Sequence, residues 1–516
     1  MKNAVVRWLV VTVSLLLAVE SNSAPAEPLN LLFILTDNQP ASLLGAYGNP
    51  EVRTPNIDRL AEQGTLFTQA FAVNGMCSPA RATLMTGLMP SQHGLHDWLD
   101  DEMLHTWPSD WSAVAEFRTL PLTLANRGYQ TAMIGKWHLG QPWQPSLGYQ
   151  HWVTFADGHT VDFWDNHVID NGEQYVVKDR HIVDFFAERA VDYLNHVDKS
   201  QPFYLQLNFD GPYLNPPTNF GPARNRHYQS YLDSPFLSFP RNAYSKNLVD
   251  QILDPETPEF LHRMLILGLQ MHNDRATMAN VASQNTIVDD GVGIVLKALE
   301  ANGLAENTLV VFSTDQGNFY GQYGLWEHTV VTRPTNLYEA AMRIPLIIRQ
   351  PDGRGAGSRR DELVGQYDLP VTLLDYLGFG DVELESSPGR SFSALLKGAD
   401  GAWHNEVYYE MEETRGVRTP EFAYWQRLEG LGEPELYDMQ RDPEQRNNLA
   451  SQPQYQAQID ALRSKLEHFF AVYSDPAYDL WRGGVAKGSV IRPGLFKQKW
   501  GEQWAPESEI KSPFVE

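Results

Sequence analysis

The chain reads as an α/β protein: a large, mostly parallel sheet flanked by helices, with a smaller C-terminal α+β unit. Three observations carry this. Apolar runs of strand length recur from Leu29 onward without the alternation of a half-exposed strand. Segments of helical periodicity lie between them. Polar residues capable of chemistry stand just past several runs, where open parallel sheets place their ligands.

The first segment is not part of that sheet. Lys2 and Arg7 precede an apolar run from Trp8 to Val19, and Ala24-Pro25-Ala26 suits cleavage. Residues 1–26 therefore read as a secretory signal peptide, and a periplasmic or secreted location is expected. The run is too short to span a bilayer and no cysteine lies near the cleavage site, so no membrane anchor is expected.

The main domain is expected over 27–404. "LNLLFILTDNQ" is its first strand, ending at Thr36-Asp37-Asn38. "TPNIDRLAEQG" is a helix with Thr54 as N-cap, Pro55 at its first position and Gly64 at its end. Further strands end near Gly135, near Phe209 and at Thr314-Asp315, and "RIPLIIRQP" is a fifth. Helices are expected over Arg180 to Val197 and Asp274 to Asn302. Between about 210 and 259 the chain is rich in Pro, Asn and aromatics, which suits an ordered functional flap. Residues 405–516 form the smaller unit. It has strand-like pieces in "EVYYEME", "EFAYWQRL" and "PELYDMQ", then a helix from about Tyr455 to Tyr473 with Ile459, Leu462, Leu466 and Phe469 on one face. The tail with Trp481, Trp500 and Trp504 shows no clear secondary structure.

A net charge of −24 over 516 residues argues against a nucleic-acid partner. Anionic substrates stay open, because a local cluster of Arg, Lys and metal can oppose the global field. Cys77 is the single cysteine, so no intramolecular disulfide can form. Ser78 suits an N-cap and Pro79 a first helical position. Cys77 then lies at the positive end of a helix dipole with Arg81 one turn in, which lowers a thiol pKa. A thiolate nucleophile with a nearby His is one reading.

Cys77-Ser78-Pro79-Ala80-Arg81 has the form C-x-P-x-R and is followed by "ATLMTG". Along the chain follow "TGLMPSQHGLHDW", "IGKWHLG", "ENTLVVFSTDQG", "NLYEAAMRIPLIIR" and "ELYDMQRDPEQRNNLA". With these motifs, from Leu29 to about Ala450, the chain resembles the type I, formylglycine-dependent sulfatases of the alkaline phosphatase superfamily. The resemblance implies an alkaline-phosphatase-like fold and hydrolysis of sulfate monoesters. It implies that a formylglycine-generating or sulfatase-maturating enzyme oxidises Cys77 to formylglycine. The hydrated aldehyde then attacks sulfur, and its second hydroxyl lets sulfate leave. A divalent cation is implied on Asp37, Asn38, Asp315 and Gln316. Oxygen-only ligation suits Ca2+, or Mg2+. Asn38 and Gln316 replace the commonest Asp and Asn, so the site carries less negative charge.

The remaining roles follow the same motifs. Arg81 would hold the formylglycine oxygens. Lys136 would bind sulfate or the diol, and His138, two residues on and so on the same side of an extended chain, would take the diol proton. Tyr213 stands where the family often has a sulfate-binding His. His328, in "GLWEHTVVTRP", aligns with a family Lys and would protonate the leaving oxygen or bind the sulfuryl group, since an unperturbed imidazole titrates near neutrality. Trp98 would stack on a sugar, and Arg224 and Arg226 of the flap would read a charged glycan. The expected partner is a sulfated glycan or small sulfate ester. Two other functions compete: a phosphonate or phosphate ester hydrolase of the same superfamily, and a decayed, sulfatase-like glycan-binding protein. Retention of Cys77, Pro79, Arg81, Lys136, His138 and both Asp residues favours the sulfatase.

Overall fold

The computed structural model describes residues 28–99, 106–159, 162–213, 224–255, 257–399 and 403–507. The expected signal peptide and part of the flap, 214–223, lie outside the described residues. The chain opens with β1 (Asn30–Thr36), α1 (Pro55–Gln63), β2 (Thr65–Phe71), α2 (Cys77–Thr86), α3 (Pro90–His93), α4 (Leu120–Asn126) and β3 (Gln130–Gly135). Next come β4 (His151–Phe155), β5 (Asn166–Asp170), β6 (Glu173–Val177), α5 (Ile182–His196) and β7 (Phe203–Asn208). Helices α6 (Lys246–Leu253), α7 (Glu259–Met271) and α8 (Arg275–Ala301) lead to β8 (Thr308–Thr314), β9 (Phe319–Tyr320) and β10 (Trp326–Glu327). Then follow α9 (Glu339–Met342), β11 (Arg343–Arg349), β12 (Ser358–Arg360), β13 (Val364–Gly365), α10 (Asp368–Tyr376) and α11 (Ser393–Leu396). The last elements are β14 (Val407–Met411), β15 (Thr414–Arg418), β16 (Phe422–Arg427), β17 (Glu435–Asp438), α12 (Gln456–Val472) and α13 (Pro493–Trp500).

The large sheet has the order β12-β2-β11-β8-β1-β7-β3-β4-β5-β6, with β13 also on β2. Its centre, β8-β1-β7-β3-β4, is parallel. The continuous apolar run of β1 has a direct cause: Leu31, Phe33 and Leu35 enter one core and Leu32 and Ile34 the other. The second core is closed by α5 and α8 through residues such as Phe186, Val288 and Val292. Asp274 caps α8 by accepting from Thr277 N at 2.7 Å. Asp289 of α8 accepts from the N–H groups of Asn56 and Ile57 at 2.9 and 2.8 Å, so a carboxylate holds the N-terminus of α1.

Outside its centre the sheet is mixed. The expected fifth strand, β11, runs antiparallel to both β8 and β2, and β5 and β6 are antiparallel as well. Parallel neighbours need a crossover, usually a helix, to carry the chain back to the starting edge. Between β8 and β11 there are only two-residue strands, tight turns and the four-residue α9, so the chain turns back at the same edge.

Thr54 is the N-cap residue of α1, but its hydroxyl does not cap the helix. It donates to Asp58 Oδ1 at 3.0 Å and accepts from Gly45 N at 2.9 Å. The C-terminal unit is an antiparallel sheet, β14-β15-β16-β17, with Ile459, Leu462, Leu466 and Phe469 of α12 packed on it. Sequence reading missed β15, whose Gly416 sits where a Cβ would lie 2.3 Å from the Tyr409 ring. The tail, expected without secondary structure, forms α13, which buries Phe496 against Trp504. The expected loop-rich flap contains α6. No described helix is long and apolar enough to cross a membrane.

Candidate active site

The parallel strands deliver their end residues to one place. β1 and β8 pair with Thr36 opposite Thr314, so Asp37 and Asp315, one step on, face each other. β3 ends at Gly135, where φ is +111° and a Cβ would lie 1.8 Å from the Asn208 carbonyl oxygen. Only glycine allows the chain to pass β7 this closely and turn Lys136 inward. The first turn of α2 then brings Cys77 and Arg81 over the strand ends.

The side chains form one buried cluster. Arg81 donates through Nε to Asp315 Oδ2 at 2.9 Å, through Nη2 to Asp37 Oδ2 at 3.3 Å and through Nη1 to the Lys136 carbonyl at 2.9 Å. Lys136 Nζ donates to the Asp37 carboxylate and lies 3.6 Å from Cys77 Sγ and 3.7 Å from Asp210 Oδ1. Ligand atoms of Asp37, Cys77 and Asp315 lie within 4.8 Å of one another. Gln316 Nε2 donates to Cys77 Sγ at 3.1 Å and to Asn38 Oδ1, while Gln316 Oε1 is buried with no donor.

Burial and neighbouring charges set the protonation states. Burial opposes ionisation of Asp37, but Lys136 and Arg81 overrule it and hold the carboxyl below its usual range. Burial, with Asp37 beside it, pushes Asp315 up to about 6. Burial and Asp37 push the Cys77 thiol well above its usual value. The expected lowering of that pKa by the helix start is thus overturned: desolvation and a carboxylate outweigh the dipole. The helix also starts two residues earlier than expected. Met76 is the N-cap, and Ser78 lies inside α2 with its hydroxyl accepting from Leu99 N at 3.0 Å.

β3 ends at Gly135, before Lys136 and His138, and His138 adopts a left-handed φ of 56°. His138 Nε2 donates to the Leu99 carbonyl at 2.8 Å, which leaves Nδ1 as an acceptor, buried without a donor. Burial and Lys136 keep this ring neutral. His328 Nε2 lies 3.0 Å from Asn38 Nδ2 and so accepts, with Nδ1 3.5 Å from Glu327 Oε2. Burial pushes His328 down to about 4 and Glu327 up to about 8. The expectation of an imidazolium near neutral pH is therefore corrected: burial makes His328 a neutral ring. The Tyr213 ring stands 5.2 Å from Lys136 Nζ and 5.8 Å from the His328 ring. Burial, with Cys77 adding, holds its phenol protonated.

Two neighbours were not picked out from sequence. Asp210 follows the end of β7 much as Asp37 and Asp315 follow theirs, a signal that was legible. His159, half-buried with its ring 5.0 Å from His138 and 6.3 Å from Tyr213, carried none. The flap arginines sit elsewhere. Arg226 bridges Asp184 of α5 and Asp290 of α8, and Arg224 pairs with Asp165 and Asp179 over the Trp164 ring. Among the described residues, their contacts reach no member of the Cys77 cluster. Trp98 is half-buried against the main core, and its carbonyl accepts from Ser489 Oγ at 2.9 Å.

Two family models match the chain. One described as Sulfatase matches residues 29–379, and one described as N-sulphoglucosamine sulphohydrolase, C-terminal, matches residues 326–471. An N-acetylglucosamine-6-O-sulfatase of Bacteroides thetaiotaomicron is 27% identical over 513 residues, covering 86% of this chain and 87% of that protein. A solved structure of a protein in complex with its substrate D-glucosamine-2-N,6-O-disulfate superposes with TM-score 0.66 at 24% identity, over 87% of this chain and 98% of that one. The phosphonate monoester hydrolase of Agrobacterium radiobacter shares the fold, with TM-score 0.64 at 22% identity over 87% of this chain and 96% of that one.

Proposed function

The chain belongs to the sulfatase family, and from that premise we propose an exported enzyme that removes sulfate from a glycosaminoglycan-like glycan, using formylglycine made from Cys77 and a divalent cation. The class, a sulfatase hydrolase, is common to its named relatives. The substrate rests on what those relatives act on, since several are named for glucosamine sulfates. Export rests on the signal-peptide pattern of residues 1–26.

One observation carries the reading: Cys77 is buried among Arg81, Lys136, Asp37 and Asp315 at the ends of three parallel strands. Two fixed cations there suit a sulfuryl group, and the oxygens suit a hard metal ion. The donor set fits such an ion. Asp37 and Asp315 supply carboxylates, and Asn38 and Gln316 amide oxygens. Gln316 Oε1 is a buried acceptor of the kind a cation satisfies. When bound, Ca2+ or Mg2+ supplies positive charge against the sulfate oxygens and the nucleophile. Oxidised to its aldehyde, Cys77 supplies a hydrated nucleophile.

The protein's own groups do the rest. Arg81, fixed by two carboxylates and a carbonyl, cannot swing away, so its charge is preorganised. Lys136 reaches Cys77 Sγ and is held cationic by Asp37 despite its burial. His138 can take a proton only at Nδ1, since Nε2 is committed to the Leu99 carbonyl. Cleavage of the S–O bond leaves an alcohol that needs a proton, and the Tyr213 phenol, whose ring lies 5.2 Å from Lys136 Nζ, is a protonated donor.

The test joins two measurements on one preparation. Mass analysis of the Cys77 peptide should show the aldehyde in place of the thiol. The same sample should hydrolyse 4-nitrophenyl sulfate, leave the phosphate largely intact and desulfate members of a glycosaminoglycan panel. An active sample carrying only unmodified Cys77 would refute the nucleophile. Activity on aryl sulfate with none on any glycan would refute the substrate class.

A further inference from the structure

A cavity of about 300 Å³ lies between Pro388, Arg390 and residues 403–408 on one side and α12 on the other, and its lining shares no residue with the Cys77 cluster. Ser387 Oγ donates to the Gly87 carbonyl at 2.7 Å, at the far end of α2 from Cys77. The ten residues of α2 put about 15 Å between its ends. The floor is aromatic. Tyr408 and Phe469 stack with centroids 3.8 Å apart and planes at 6°. Trp403, held by a 2.7 Å bond from Nε1 to the Leu363 carbonyl, and Tyr473 are half-buried at the sides.

The rim is basic in a chain of net charge −24. Arg390, Lys465 and His468 are exposed around the floor. The two acids of the groove are already satisfied. Asp368 accepts from the N–H groups of Gly365 and Arg390, both at 2.8 Å. Glu406 accepts from Lys465 Nζ at 2.6 Å and from the Tyr408 hydroxyl at 3.0 Å. The Arg390 guanidinium instead donates to the His404 ring, 2.7 Å from Nδ1, and no carboxylate pairs with it among the described residues. Burial, with Arg390 beside it, lowers the pKa of His404, so that ring is a neutral acceptor and does not offset the arginine's charge. A guanidinium without an ion-paired carboxylate, beside aromatic faces in a cavity of monosaccharide size, matches a ligand with an apolar ring face and a singly charged oxyanion.

We propose that this groove is a second saccharide site, an anchor that holds a sulfated unit of the glycan away from the reacting ester. It rests on the glycan reading of the preceding section. An anchor of this kind raises the effective concentration of a polymeric substrate without touching the chemistry.

The probe is a heparin-derived tetrasaccharide, titrated calorimetrically into the full chain carrying Cys77→Ala, with the chemically desulfated tetrasaccharide as control. The expected result is a sulfate-dependent binding event that weakens at least tenfold in Arg390→Ala/Lys465→Ala. Lys465→Glu, at an exposed position of α12, repeats the test without touching Arg390. In the active enzyme the same substitutions should raise KM for polymer several-fold and leave kcat/KM on 4-nitrophenyl sulfate unchanged. Absence of any binding event that these substitutions weaken overturns the anchor, even if glycan hydrolysis is intact. Loss of glycan hydrolysis with that event intact overturns the glycan reading alone.

Discussion

The ammonium of Lys136 stands 3.7 Å from Oδ1 of Asp210, and the other oxygen of that carboxyl is buried without a donor. Burial pushes Asp210 up to about 7 despite Lys136. Below that pH the side chain is neutral. Above it, a negative charge appears beside the lysine proposed to face the sulfate. kcat/KM on 4-nitrophenyl sulfate should therefore fall as pH rises through about 7, and Asp210→Asn should remove that limb of the profile. A nitrophenolate needs no proton to leave, so the limb reports the anion site. An unchanged profile in the variant would assign the limb to another group.

Arg81 holds two buried carboxylates at once. Arg81→Ala leaves both without their guanidinium partner, and breaking a buried ion pair on one side costs about 3–5 kcal/mol. The variant should lose stability on that scale as well as activity, measured by denaturant unfolding. Arg81→Lys keeps the charge but not the fork, so it should recover part of the stability and little of the turnover. A fully stable alanine variant would show that Asp315 accepts a proton without cost.

Cation binding should register in stability before any assay of turnover. A ligand at 100 times its Kd stabilises the native state by about 2.7 kcal/mol. Adding calcium to chelated protein should raise Tm, and Asp37→Ala or Asp315→Ala should abolish the rise. A wild-type Tm indifferent to calcium and magnesium would count against the oxygen site.

Glu327 gives a stability test with a defined sign. Its carboxyl ionises near 4.5 when unfolded, and burial raises this to about 8 in the native protein. Below pH 4.5 both states are neutral. Between 4.5 and 8 only the unfolded state ionises, so stability declines as pH rises, by on the order of 5 kcal/mol across the window. Glu327→Gln should flatten that decline. Equal Tm changes from pH 5 to pH 8 in both proteins would show that Glu327 is ionised at neutral pH.

The flap arginines should matter little to catalysis. Arg226 and Arg224 are engaged by surface aspartates, and such pairs are worth about 0–1 kcal/mol. Alanine at either position should lower Tm slightly and leave KM for a sulfated glycan unchanged. A selective rise in KM would restore the glycan-reading role expected from sequence.

By itself the sequence determined the pieces whose cause is local. The apolar run before Asp37 predicts a strand buried on both faces, and two cores meet it there. Pro55 and Asp274 mark helix starts because first-turn geometry is set within a few residues. The C-x-P-x-R run and the strand-end Asp37 and Asp315 pointed to the cluster that the fold assembles. What only the tertiary structure decided depends on residues far apart in the chain. The direction of β11 followed from the lack of a crossover helix, and β15 from packing between its neighbours. His159 reaches His138 across a loop that no periodicity marks. Cys77 lies at a helix start, yet burial and Asp37, forty residues away, raise its pKa. His328 reads as a titrating histidine, but its surroundings hold it neutral. Local sequence encodes periodicity and caps, whereas desolvation and the field at a charged atom are sums over the whole fold, and those sums set the chemistry.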